Sequence, residues 1–299
     1  MLKKERKISL NLVICGLSKN CLETSKKNIE SLINLNSYSS DLNIQVIIVD
    51  SDSNDGTKEF LQEISGNHEF ITVLNEDGLE RIYDSRIQRI SHCRNLCLNV
   101  IKNEKFYQSF IYIPMDFDID HFEITSPKEF VDLAKEFEKD NDTDAIFPVS
   151  YPFYYDIFAL RAVGWVTINS QLLASKLKKY LRLGSFLWNY IFIFRKQWSP
   201  EKIKNKKIKI ISAFGGSGMY KVEKIKLQKI EYSFSQKNTD YISEHIFFNE
   251  YFNNLKIKDN WILPAPLEHL SYKSQNVTGK IIYFLKTLKF DLKNIFNFS

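Results

Sequence analysis

The sequence predicts an α/β protein built on an open, mostly parallel sheet with helices on both faces. Three observations predict it. In the first half, short runs rich in β-branched residues alternate with longer stretches whose apolar residues recur at helical spacing. The strand-like runs are almost continuously apolar, as parallel strands covered on both faces are. Two of them end abruptly in acid, at Asp50 and Asp116, and in such sheets ligands bind beyond the carboxyl ends of the strands.

The elements follow in order. Ile8 to Gly16 reads as the first core strand, with Ser18 and Asn20 in the turn behind it. Residues 22–35 carry Leu22, Ile29, Leu32 and Ile33 at helical spacing. Ile44 to Asp50 is the second strand, and a helix follows from Gly56 to about Ile64. Phe70 to Leu74 is a short third strand, Ser91 to Ile101 a helix, and Phe110 to Asp116 the fourth strand. Around 125–139 a helix is expected, with Ser126-Pro127 at its start and Glu129 in its first turn. Asp144 to Val149 is a further strand, after which the alternation weakens. Residues 170–200 are basic, aromatic and helical in pattern, Lys207 to Ala213 is a strand, and Lys280 to Phe298 mixes Ile, Leu, Phe and Lys near helical spacing. There is no internal repeat and no low-complexity linker. The organisation expected is a nucleotide-side half over 1–120, an acceptor-side half of the same domain over 121–275, and an amphipathic basic tail over 276–299.

The 299 residues are enough to bury a substantial core. High aromatic content, with 23 Phe and 15 Tyr, and scarce Gly and Pro argue against long disorder. A net charge of +5 suits an anionic substrate or an acidic membrane surface. It does not suit nucleic acid, since no Arg-rich stripe or RNA-binding signature accompanies it. Cys15, Cys21, Cys93 and Cys97 form no C-x-x-C pair and no zinc spacing, so reduced structural thiols and a reducing compartment are expected. No leader pattern and no span of membrane length are seen, and the expectation is a cytoplasmic protein. Peripheral docking at the inner face of the membrane stays open for the basic, aromatic 176–198 segment and the tail, against ordinary amphipathic helices packing on the core.

The stretch from Phe110 to Asp120 is the centre of the chain. If extended throughout, it points Asp116, Asp118 and Asp120 the same way, with no Lys or Arg in the run. Such carboxylates repel unless a cation lies between them, and hard divalent ions, which prefer oxygen ligands, usually arrive with phosphate. The alternative is a solvated acidic turn. Upstream, Val49-Asp50-Ser51-Asp52-Ser53-Asn54-Asp55-Gly56-Thr57 joins a strand, a polar turn and a helix start. Carboxylates there accept from base N–H groups and ribose hydroxyls, while Asp55 or Ser53 alone would serve as a helix cap.

That segment resembles the V-D-x-x-S-x-D-x-T signature of GT-A glycosyltransferases, especially the large inverting family with many polysaccharide synthases. Ser51 stands where the second Asp is usual. Cys93-Arg94-Asn95 is similar to the A-R-N that opens the helix before the D-x-D strand, and Asp116-Phe117-Asp118 to the D-x-D itself. Further on, Tyr154-Tyr155-Asp156-Ile157-Phe158-Ala159-Leu160-Arg161, Phe214-Gly215-Gly216-Ser217-Gly218-Met219-Tyr220 and Ser243-Glu244-His245 resemble blocks of the cryptococcal capsule α-mannosyltransferase-like family and its bacterial relatives.

The resemblance implies a GT-A fold: a mixed, mostly parallel sheet flanked by helices, with an elaborated C-terminal acceptor side. It implies transfer of a sugar from a nucleotide-diphosphate sugar to a glycan or lipid-linked acceptor, in surface polysaccharide or lipopolysaccharide assembly. Asp50 and Asp52 would bind the nucleotide, and Arg94 the phosphates through its planar fork. Asp116 and Asp118 would hold Mn²⁺ or Mg²⁺ on the diphosphate, with His269 the better placed of two histidines to complete the shell. Gly215 and Gly216 would let backbone approach the sugar. Asp156 and Arg161 would orient the donor or pair with each other. Glu244 would deprotonate the acceptor, against a plain acid at a helix start capped by Ser243. Two rivals remain: a phosphatase of the haloacid dehalogenase type, whose D-x-D usually lies on the first strand, and an inactive partner that binds nucleotide or glycan without turnover.

Overall fold

The computed structural model describes residues 10–38, 40–103, 107–122, 126–147, 154, 156–170, 172–173, 176–177, 190–197, 208–223, 227–234, 242–255 and 259–262. The expected tail, His269 and most of the basic, aromatic 176–198 stretch lie outside the described residues.

Eight strands form a single sheet. They are β1 (Leu10–Ser18), β2 (Leu42–Ser51), β3 (Ile71–Glu76), β4 (Ser109–Asp116), β5 (Thr143–Phe147), β6 (Ile208–Ile210), β7 (Met219–Glu223) and β8 (Asp259–Ile262). Their order across the sheet is β3-β2-β1-β4-β7-β5-β8-β6. β3, β2, β1 and β4 run parallel. β7 is antiparallel to both β4 and β5, β8 is parallel to β5, and β6 is antiparallel to β8. This is the mixed, mostly parallel sheet expected of a GT-A fold.

Alternation along the strands builds the two faces. Leu12 and Ile14 of β1, Val46 and Ile48 of β2, and Ile111, Ile113 and Met115 of β4 pack into one core layer. Helices α1 (Leu22–Tyr38), α2 (Thr57–Asn67) and α5 (Pro127–Lys139) cover it with Ile29, Leu32, Leu61 and Phe130. The intervening residues Val13, Cys15, Ile47, Val49, Phe110 and Tyr112 form the other layer. Helix α4 (Arg86–Asn103) and helix α6 (Glu244–Leu255) cover that face with Cys97, Leu98, Phe248 and Phe252; the short α3 (Leu79–Ile82) adds Leu79. Helix α5 starts at the expected place: Ser126 and Glu129 form a reciprocal capping box with Pro127 in the first turn.

Some elements differ from expectation. β1 does not end at Gly16 but continues to Ser18. Gly16 is required inside the strand, because a Cβ there would lie 2.3 Å from the Phe117 ring. Helix α4 begins at Arg86 rather than Ser91, and the expected strand at 207–213 is reduced to β6. Strands β7 and β8 were not anticipated. β7 follows a glycine-rich turn whose residues dominate its sequence pattern. The four cysteines are buried and none is paired in a disulfide. No helix among the described residues is long and apolar enough to cross a membrane.

Candidate active site

Among the described residues, Asp50, Asp52, Asp116 and Asp118 lie at or just beyond the carboxyl ends of β2 and β4. Asp50, paired in register with Ser18, is 1% exposed. Its Oδ2 accepts from the hydroxyls of Ser18 at 2.8 Å and Ser53 at 2.6 Å, while Oδ1 is buried without a partner. A buried carboxylate oxygen with no donor costs free energy unless a ligand supplies one. Asp52 lies in the left-handed region at φ 56°; its Oδ1 accepts from the backbone N–H of Gly78 and its Oδ2 is likewise buried and unpartnered. Asp55 builds the turn, accepting from the N–H groups of Leu22 and Thr57 at 3.1 Å each and from the Thr57 hydroxyl. Gly56 at φ 93° precedes α2 without a side-chain cap, so neither Asp55 nor Ser53 is the cap. A cavity of about 660 Å³ opens here, lined by Lys19, Asn20, Asp52, Asp77, Gly78 and Arg81 among others.

β4 ends at Asp116, and the chain then turns. The expectation of three aligned acids is corrected here, since alternation requires an extended chain and residues 117–120 are not extended. Phe117 is driven under Gly16 into the core. Asp120 pairs instead with Lys27 at 3.0 Å and accepts from the N–H of Phe122 at 3.2 Å. Asn28 of α1 secures the turn, donating to the carbonyls of Phe117 at 3.4 Å and Ile119 at 2.7 Å and accepting from the N–H of His121 at 3.1 Å. Nε2 of His121 donates to the Asp116 carbonyl at 2.8 Å. Asp118 is left exposed at the tip of the turn. Although its surface is open to solvent, surrounding protein atoms strip part of its hydration, and with the neighbouring Asp116 charge this pushes its carboxyl up to about 6.

The second half of the chain supplies the rest through the β4–β7 pairing. Asp116 donates its N–H to the carbonyl of Gly216 at 2.9 Å, and Met115 bridges Ser217. Gly215 and Gly216 adopt φ 69° and 90°, a region unfavourable to other residues. Gly218 serves packing instead, since a Cβ there would lie 2.9 Å from Phe147. Asp156 accepts from the N–H of Gly215 at 2.8 Å and of Ala159 at 3.1 Å. Burial is the main cause raising its carboxyl to about 6. Arg161 donates to the carbonyls of Leu160 at 2.6 Å and Phe158 at 3.3 Å. Asp156 and Arg161 are thus each held by backbone rather than as a buried ion pair.

Arg94 corrects a second expectation. Its side chain is 3% exposed and lies beneath Asp116. Nη2 donates to Asp116 Oδ1 at 2.7 Å and Nε to Glu244 Oε1 at 3.2 Å; Nη1 is buried without a partner. Burial works against the charge, but the carboxylates of Asp116 and Glu244 more than offset it and hold the guanidinium firmly protonated. The fork expected to meet a phosphate is thus divided between two carboxylates, and of the donors named only Nη1 is left without a partner. Glu244 is 4% exposed at the first turn of α6. Its Oε2 accepts from the Ser243 hydroxyl at 3.3 Å, and Ser243 Oγ in turn accepts from the N–H of His245 at 3.3 Å. His245 stacks on Phe214 at 3.6 Å, and burial drives its imidazole well below the usual range and keeps it neutral.

The family comparison falls on the first part of the chain. Residues 16–101 match the sequence model described as glycosyl transferase family 2. The matched segment runs from within β1 through most of α4 and contains Asp50, Asp52 and Arg94. The family 2 match stops short of Asp116, Asp118 and the later blocks. No curated protein matches the chain. Among solved structures, glucosyl-3-phosphoglycerate synthase from Mycobacterium tuberculosis, in complex with Mn²⁺, uridine diphosphate and phosphoglyceric acid, is similar at 14% identity and TM-score 0.45, over 91% of this chain and 74% of that one. Mannosyl-3-phosphoglycerate synthase from Rubrobacter xylanophilus is similar at 12% identity and TM-score 0.46, over 94% and 72%. A mannosyltransferase from Pyrobaculum calidifontis, in complex with GDP-Man and Mn²⁺, is similar at 12% identity and TM-score 0.46, over 88% and 56%.

Several residues of the site carry no sequence signal. Ser18, Asn28, His121 and Tyr232 act through hydrogen bonds or ring contacts from unrelated elements. Phe214 and His245 stand inside blocks already singled out, but their stacking appears only in three dimensions.

Among the described residues no group of three or more His, Cys, Asp or Glu is placed to hold a metal ion. Asp116 and Asp118 nevertheless suit a hard divalent ion that takes its remaining ligands from phosphate and water. They are like-charged oxygen donors; lost hydration is the main cause raising Asp118, and the Asp116 repulsion that adds to it is what a cation between them would relieve.

Proposed function

We propose that this chain is a glycosyltransferase that moves a sugar from a nucleotide-diphosphate sugar to a hydroxyl of a glycan or lipid-linked acceptor. The observation that carries the reading is the buried, donorless Oδ1 of Asp50, inside the family 2 segment and at the same sheet edge as Asp116 and Asp118. Asp50 and Asp52 accept from the nucleoside. The Gly215–Gly216 backbone, fixed by Asp156 and by its bond to the Asp116 N–H, forms the wall against which the sugar is placed. Asp116 and Asp118 would hold Mn²⁺ or Mg²⁺, which when bound neutralises the departing diphosphate. Glu244, paired with Arg94 at 3.2 Å, is the candidate base for the acceptor hydroxyl. The setting that the later sequence blocks suggest is surface polysaccharide or lipopolysaccharide assembly.

The test is a thermal-shift screen of UDP-, GDP-, CMP- and dTDP-sugars with and without Mn²⁺, followed by a transfer assay. A ligand that binds only the native state raises the melting temperature by mass action. Stabilisation by one nucleotide family that requires metal, and its loss in Asp118→Ala with the fold intact, is the expected result. Wild-type turnover in that variant sinks the metal role. Phosphate release without transfer turns the reading towards the phosphatase, although that fold's nucleophile usually lies on the first strand and Asp116 lies on β4.

A further inference from the structure

The acidic end of the site rests on a buried cation. Arg94 is 3% exposed, whereas the Asp116 side chain above it is 32% exposed and Asp118 lies open at the tip of its turn. The guanidinium is confined on all sides. Phe214 and Tyr232 lie over it at 4.7 and 5.6 Å. Asn95, the next residue, pins the backbone of Tyr232 with two bonds of 2.7 Å each. Arg94 therefore leaves its place only if α4, the Phe214 loop and the Tyr232 segment come apart together.

Its charge faces several acids. Asp116 and Glu244 are bonded to it directly. Asp118 feels it at longer range, together with Arg86, and Asp156 feels both Glu244 and Asp116. His245, also against Glu244, is neutral and adds no charge.

We propose that Arg94 is a resident counter-ion and positioning residue: it holds Asp116 and Glu244 in place from beneath and, by its charge, sets how strongly the Asp116–Asp118 pair attracts a divalent cation. This rests on the reading of those two carboxylates as the metal-holding pair. Arg94 takes Oδ1 of Asp116 and turns the carboxylate so that its other oxygen is free for a ligand. A fixed positive charge behind a carboxylate also weakens that carboxylate's pull on a second cation. Removing it does two things of opposite sign. Glu244 is left buried without its partner, so the metal-free protein loses stability. The acidic pair meanwhile attracts Mn²⁺ more strongly, on the order of tenfold for a unit charge a few ångströms from a divalent ion in a partly exposed site. A residue that recognised phosphate would behave differently: its loss would weaken nucleotide binding and leave Mn²⁺ affinity alone.

The experiment measures Mn²⁺ binding by electron paramagnetic resonance on the full chain without nucleotide, in wild type, Arg94→Met and Arg94→Lys. Arg94→Met is expected to melt lower without metal, to bind Mn²⁺ about tenfold more tightly, and to gain more melting temperature from Mn²⁺ than wild type does. Arg94→Lys keeps the charge and is expected to stay within about twofold of wild type. Equal or weaker Mn²⁺ binding by Arg94→Met overturns the proposal while leaving the metal site standing. A wild type that binds no Mn²⁺ overturns the proposal and the metal reading together. If Arg94→Met does not fold, Glu244→Gln supplies the same test with the opposite sign. It leaves the whole charge of Arg94 to Asp116, so Mn²⁺ binding is expected to weaken several-fold, and tighter or equal binding overturns the proposal.

Discussion

Asp156 shows how one residue can serve a site at a cost to the fold. Both its oxygens are spent on backbone N–H groups, one of them in the glycine wall. Burial nevertheless outweighs those bonds and lifts its carboxyl from the usual 3.8 to about 6. An acid raised in the folded state binds its proton more tightly folded than unfolded. Stability from this group is therefore present at low pH and is lost as pH rises from about 4 through about 6, by up to about 3 kcal/mol. Asp156→Asn cannot ionise and removes that slope. Urea titrations at pH 4 and pH 7 should show the variant improving relative to wild type at the higher pH, and a difference independent of pH would contradict the assignment. The Asp residues of the acidic turn show the limit of reading single residues. Asp116, Asp118 and Asp120 look equivalent in sequence, yet one is anchored by Arg94, one is exposed and one is spent on Lys27.

At the scale of elements, the turn after β4 decides which acids remain at the candidate site. Phe117 fills the space that Gly16 leaves open, which ends the extended chain at Asp116. Asn28, fully buried in α1, then holds the turn through its three bonds. Asn28→Ala leaves two carbonyls and an N–H without that partner and is expected to cost about 2–3 kcal/mol. It should also loosen Asp118 and weaken Mn²⁺ binding. Denaturant melts and the same metal titration check both, and a stability loss without any change in metal affinity would separate the turn from the site. Helix α1 has an ordinary amphipathic pattern, so no sequence reading could single out Asn28; its importance comes from residues about 90 positions away. The start of α5, by contrast, was legible from the adjacent Ser126, Pro127 and Glu129, although the reciprocal bonds between Ser126 and Glu129 appear only in the structure.

At the scale of the molecule, the sheet makes the two halves of the chain one unit. β4 pairs with β7 from Ser109–Glu223 to Tyr112–Tyr220, and one core layer draws residues from Val13 to Phe252. This joint brings Gly216 against Asp116, whose N–H donates to the Gly216 carbonyl at 2.9 Å. The halves are therefore expected to unfold together. Trp165, Trp188, Trp198 and Trp261 all lie in the second half, so tryptophan fluorescence reports that half while far-UV circular dichroism reports the whole. Coincident urea midpoints are expected; a fluorescence transition well before the dichroism transition would show that the halves come apart.

The sequence by itself determined the parallel strand–helix half, the acid ends at Asp50 and Asp116, and the similarity of residues 16–101 to the glycosyl transferase family 2 model. Those features are local: hydrophobic period, β-branched runs and turn chemistry are written over a few neighbouring residues. Only the tertiary structure decided that β7 enters the sheet antiparallel beside β4, that Asp120 leaves the acidic set, and that Arg94 sits under Asp116 with Glu244. Each of these joins residues from 22 to 150 positions apart or depends on one ring filling the gap above a glycine. Such pairings are set by packing across the whole core, which no periodicity within one segment encodes.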